Sequence, residues 1–126
     1  MRIVIETVPH ASQEYPSVGD WRRDADGTLQ IKVSQEIGDK FALLVALHEL
    51  IEVTLCEERG ITCAQVDAFD KAYERKRPEN DDSEPGDHPE APYRKEHFFA
   101  TSIERLMAAE LGVDWAKYEE EIYKLP

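Results

Sequence analysis

The chain has 126 residues, 41% of them hydrophobic, with 27 acidic against 15 basic side chains and a net charge of −12. That length suits one compact domain, residues 1–126, with a core of its own. Such an acidic surface repels nucleic-acid phosphates and anionic lipid; this excludes nucleic acid and membrane surfaces as expected partners, while solubility or a basic protein partner accounts for the charge.

The chain opens with RIVIETV (2–8), a β-branched run that predicts a strand. PHASQEYPSVGD, with two prolines and a glycine, reads as a loop. WRRDADGTLQIKVS then predicts a hairpin: Asp26-Gly27 supplies the turn, and Leu29, Ile31 and Val33 alternate with polar neighbours. A small antiparallel sheet of about three strands is expected. The apolar stretch at the N-terminus is too short for a signal peptide, and no segment has the length of a membrane span.

The period changes at Gly38-Asp39, where Asp39 is expected to cap a helix. Phe41, Leu44, Val45, Leu47, Leu50, Ile51 and Leu55 recur at helical spacing, and Gly60 ends the run. Thr62 caps a second predicted helix with Val66, Phe69 and Tyr73 on one face. Residues 77–92 are acidic and proline-rich without apolar periodicity, and are expected to form a mobile or partly ordered loop. A third helix follows over 93–112, with Phe99, Ile103, Leu106 and Leu111 expected inward, then a fourth capped by Asp114. The aromatic pairs Phe98-Phe99 and Trp115-Tyr118 are expected in the core. The fold class is therefore α+β: three N-terminal strands, then about four helices. Cys56 and Cys63 fit neither a zinc spacing nor a disulfide scaffold, and Cys56 is read as a small core residue. A reduced, cytoplasmic protein is the simplest expectation.

One stretch of the long apolar helix, VALHELIEVT (45–54), carries His48, Glu49 and Glu52. Residues four apart share a helix face, so His48 and Glu52 can point at one ion with Glu49 on the adjoining flank. Buried polar groups of this kind need a partner. The partner is a metal ion or, in the plainer alternative, a carbonyl bonded to His48 with both glutamates on a solvated edge.

VALHELIEVT resembles the extended signature of zincin metallopeptidases, an uncharged helix around H-E-x-x-H, with Glu52 standing where that family has its second histidine. The resemblance covers about ten residues. It implies a zinc ion ligated by His48 and Glu52, with Glu49 as the catalytic base that activates water. A downstream helix supplies the third ligand in several zincin branches, and His97 in YRKEHFFATSIER is the candidate. Glu104, seven residues on and on nearly the same face, is an alternative ligand or the group that orients His97. His10 and His88 lie in loops and are set aside. The resemblance further implies a peptide or protein substrate, and TLQIKVS (28–34) is a candidate edge strand for pairing with it.

Two weaker resemblances complete the reading. Glu49 and Glu52 with Asp67 and Asp70 form an E-x-x-E…D-x-x-D series, faintly similar to all-α nucleotide pyrophosphohydrolases of the MazG type, which gather magnesium on helical carboxylates. The second motif there begins with Glu, and the strands here do not belong to such a bundle; plain surface charge is the alternative. The segments CEERGIT, VDAFD, EPGDHPEAPYRKEHFFATSIER and AAELGVDW look like small proteins of bacteriophages and prophages, which implies a bacterial setting and leaves open a non-enzymatic accessory protein that binds a basic partner.

Overall fold

A computed structural model describes residues 1–81 and 83–126; Asp82, within the predicted acidic loop, lies outside the described residues. Three strands come first: β1 (Ile3–Val8), β2 (Gly19–Arg23) and β3 (Leu29–Ser34). Four helices follow: α1 (Asp39–Glu58), α2 (Cys63–Lys76), α3 (Arg94–Glu110) and α4 (Trp115–Tyr123). The α+β class expected from the sequence is what forms.

The hairpin closes as its turn residues dictate. Gly27 has a φ of 87°, and the Thr28 amide donates to the Asp26 carboxylate. β2 and β3 pair antiparallel, with Trp21 opposite Ile31. The sheet as a whole is mixed, however, because β1 pairs parallel to β3, Ile5 opposite Ile31. Strand order is β1-β3-β2. The local turn ties β2 to one edge of β3, so only the other edge is open to β1. The loop after β1 then carries the chain past β3 to the far side. β3 is consequently central and paired on both edges, so the expected role of TLQIKVS as an exposed docking strand does not hold; β2 is the edge strand beside α1.

Leu29, Ile31 and Val33 on β3, with Trp21 on β2, are buried against α1. α1 has apolar residues around most of its circumference because the sheet covers one side and α3 the other. Its start differs from expectation. Gly38, at φ 82°, is the N-cap, and Asp39 is the first helical residue with no capping hydrogen bond. Only glycine reaches that backbone conformation without strain, which displaces Asp39 by one position. The end follows expectation: Gly60 adopts φ 72° and the Ile61 amide returns to the Cys56 carbonyl at 2.8 Å. Thr62 and Gln65 form a reciprocal capping box on α2, and Asp114 caps α4.

α3 turns a different face inward than its large apolar residues suggest. Phe99 is 52% and Leu106 65% exposed, and Phe98 is exposed as well, whereas His97, Ala100, Glu104 and Ala108 are buried. Small alanines let α3 approach α1 closely, and the polar pair between them finds partners on α1. Cys56 is fully buried, its thiol pushed up to about 12 by burial. No helix among the described residues is long and apolar enough to cross a membrane.

Candidate metal centre

α1 and α3 bring His48, Glu52, His97 and Glu104 into one buried cluster, each less than a tenth exposed. The i, i+4 spacing on α1 puts His48 Nε2 3.1 Å from Glu52 Oε2. From α3, His97 Nδ1 reaches the same oxygen at 3.1 Å and His48 Nε2 at 3.2 Å. These three atoms form a nearly equilateral triangle. Three ligands of one tetrahedral zinc ion stand about 3.3 Å apart, so the spacing fits a shared ion.

The outer partners decide what the triangle offers. His48 Nδ1 donates to Glu104 Oε1 at 2.8 Å, and Glu104 Oε2 accepts from the Tyr118 hydroxyl of α4 at 2.5 Å. A carboxylate accepts only, so the proton sits on Nδ1 and a neutral His48 turns its Nε2 lone pair inward. On the far side of His97, Glu84 Oε2 lies 2.9 Å and Asp87 Oδ1 3.3 Å from Nε2, which favours the proton of a neutral ring on Nε2 and so leaves the Nδ1 lone pair for the centre. Two lone pairs and a carboxylate oxygen therefore converge, an arrangement that holds only with protons or a cation between them.

The electrostatics carry the same demand. Burial alone would lower both histidines. Glu104 and Glu52 outweigh it and hold His48 well above its ordinary value, while Glu52 and Glu84 bring His97 up to about 10. Burial would raise Glu52, but the two rings draw it down to about 2. The plainer alternative, a core His48 bonded to a carbonyl with Glu49 and Glu52 on a solvated edge, does not form: the partners of His48 are carboxylates, and Glu52 is buried.

Glu49 stands apart from the triangle. It is half-buried and borders a cleft of about 220 Å³ that His48, Glu52 and His97 also line, together with Asp20, Trp21, Asp70 and Tyr93. Burial, then the nearby charge of Glu52, pushes its carboxyl well above the usual range. Gly19 at the start of β2 makes this wall possible: a Cβ there would come within 2.6 Å of Val45 Cγ1 and 3.0 Å of Glu49 Oε1.

Every residue expected at the centre is in it or beside it. Glu104 orients His48, rather than His97 as foreseen from their common helix face. His10 instead bonds Ser34 and the Pro126 carbonyl, and His88 packs on Phe69 and Tyr73. Asp67 is tied to Arg22 at 3.2 Å and Asp70 accepts from Tyr93 at 2.5 Å, and among the described residues neither belongs to a group with Glu49 and Glu52 close enough to share an ion. Glu84, Asp87 and Tyr118 were not anticipated. The available signal was E-P-G-D: acids three apart around Pro-Gly suit a 3₁₀ turn, in which residues i and i+3 eclipse. Comparison of the chain with protein-family models, curated proteins and solved structures finds no match.

Proposed function

We propose that the chain is a zincin-like metallohydrolase, a zinc-dependent peptidase in its simplest form. His48 Nε2, Glu52 Oε2 and His97 Nδ1 are the ligands, and the observation that carries the reading is their 3.1–3.2 Å triangle of inward-facing donors. When bound, the ion supplies Lewis acidity, acidifying water and polarising a carbonyl at its open position. Glu104 and Tyr118 hold His48 in the tautomer that ligates. Glu49 lines the cleft next to the ligands and is the base that would take the proton of the attacking water and pass it to the leaving amine; burial and the charge of Glu52 raise its affinity for protons. β2, the edge strand bordering the cleft, is the natural place for an extended peptide to add by backbone hydrogen bonds.

The deciding experiment is metal analysis of tag-free protein together with hydrolysis of a peptide library. Bound zinc that is lost in His48→Ala, with cleavage abolished in Glu49→Gln, is the expected result. Zinc retained in full by His48→Ala rejects the ligand set.

A second reading draws on the same cluster without an ion. Two protonated histidines among Glu52, Glu104 and Glu84 balance the buried charge without an ion, which makes the centre a structural knot in an acidic accessory protein that binds a basic partner. Zinc-free protein with undiminished thermal stability favours this reading.

A further inference from the structure

We propose that Glu84, Asp87 and Nε2 of His97 form a second divalent-cation site, joined through the His97 ring to the centre on Nδ1. The proposal extends the metal reading of that centre, and its own failure is separable from the failure of that reading.

His97 is 5% exposed, yet its Nε2 has no hydrogen-bond partner among the described residues. An orphaned polar atom this deeply buried calls for an explanation. Carboxylate oxygens are close enough, at 2.9 Å and 3.3 Å, but neither makes a hydrogen bond with the N–H. Acceptors of a ring proton lie along that line. Co-ligands of an ion lie beside it, at about 3 Å from the nitrogen, because each donor points at the ion and not at its neighbours. The distances and the missing alignment both match the second case.

The loop is built to hold this arrangement. The 3₁₀ turn Pro85–Asp87 closes through the Asp87 amide to the Glu84 carbonyl at 3.1 Å, which brings the two carboxylates to the same side. Gly86 lies flat on the His97 ring: a Cβ there would meet Cγ at 2.4 Å and Nδ1 at 2.7 Å. Any larger residue would lift the carboxylates off Nε2. One imidazole and two carboxylates are a borderline donor set suited to zinc. With side chains 44% and 48% exposed, Glu84 and Asp87 leave the ion open to water, so this site is the weaker of the two. With both sites filled, His97 would be held through both ring nitrogens, and its remaining ring proton would pass to solvent.

The test is a zinc count on the full chain. Protein stripped with chelator is saturated with zinc chloride, freed of unbound metal by gel filtration, and analysed by elemental mass spectrometry. Two ions per chain are expected for the unmodified protein, one for Glu84→Gln/Asp87→Asn, and two for Glu79→Gln/Glu90→Gln, which removes the same charge elsewhere in the loop region. Circular dichroism verifies folding; should the double variant unfold, Glu84→Gln alone is expected to weaken the second ion by more than tenfold. An equal count in the unmodified chain and in Glu84→Gln/Asp87→Asn overturns the second site. If that count is one, the His48, Glu52 and His97 centre stands; if it is zero, both fall.

Discussion

Nε2 of His48 and Nδ1 of His97 face each other at 3.2 Å across a single carboxylate oxygen of Glu52. Without a positive charge between them these atoms repel, so the protonation or metal state of this pair bears directly on stability.

The first consequence concerns pH. In the metal-free protein His97 is raised from 6.5 to about 10 and His48 is raised as well. Their stabilising contribution is complete below about 6.5 and is lost as pH rises through the folded value. Glu52, drawn from 4.5 to about 2, contributes above 4.5 and loses that contribution as pH falls through 2. Urea midpoints of chelator-stripped protein should therefore peak between about pH 5 and 6 and decline toward pH 10. Zinc competes with the ring protons, so its affinity should rise over the same range and offset the decline.

Glu49→Gln should keep the metal and lose turnover. The ligating atoms belong to other residues, while the lost proton acceptor is worth about 10²- to 10⁴-fold in kcat/KM. Zinc content and peptide hydrolysis measured on the same preparation separate this from a folding defect.

Tyr118→Phe removes the 2.5 Å hydrogen bond to Glu104 and leaves one oxygen of a buried carboxylate unpaired. Zinc affinity should fall by about 10- to 100-fold, through the weakened hold of Glu104 on His48. Competition against a chromophoric chelator measures it; unchanged affinity would separate Tyr118 from the centre.

Gly86→Ala forces its methyl group to within 2.4 Å of the His97 ring. The loop or the ring must move, at a cost of about 1–3 kcal/mol in unfolding free energy. A lowered melting temperature with reduced zinc content is expected.

The two faces of α3 give a further contrast. Leu106→Lys, at a 65% exposed position, should change stability by less than about 0.5 kcal/mol. Ala100→Leu, at a fully buried position, should cost about 1–3 kcal/mol by pushing α3 from α1.

Local chemistry was legible in the sequence. Asp26-Gly27 fixed the hairpin, Thr62 and Gly60 bounded the helices, and His48 and Glu52 shared a face, with Glu49 on the adjoining flank, because helical geometry leaves no alternative. Each of these is decided within a few residues. The misplaced α3 face shows where that reach ends. Phe99 and Leu106 are more hydrophobic than Ala100 and Ala108, yet they face out. Inward orientation was set by His97 meeting the Glu52 carboxylate and Glu104 meeting His48 on α1, and by small side chains permitting close approach. Neither is a property of α3 alone.

The chain's own code thus determined its α+β class, the ends marked by Gly60, Thr62 and Asp114, and the pairing of His48 with Glu52. Tertiary structure alone decided the parallel pairing of β1 and the approach of His97 from α3. It also decided the placement of Glu104, Tyr118, Glu84 and Asp87 around the two rings. Backbone torsions and turn residues act over a handful of positions. Contacts separated by dozens of residues depend on which surfaces can close against each other without leaving a buried charge unpaired.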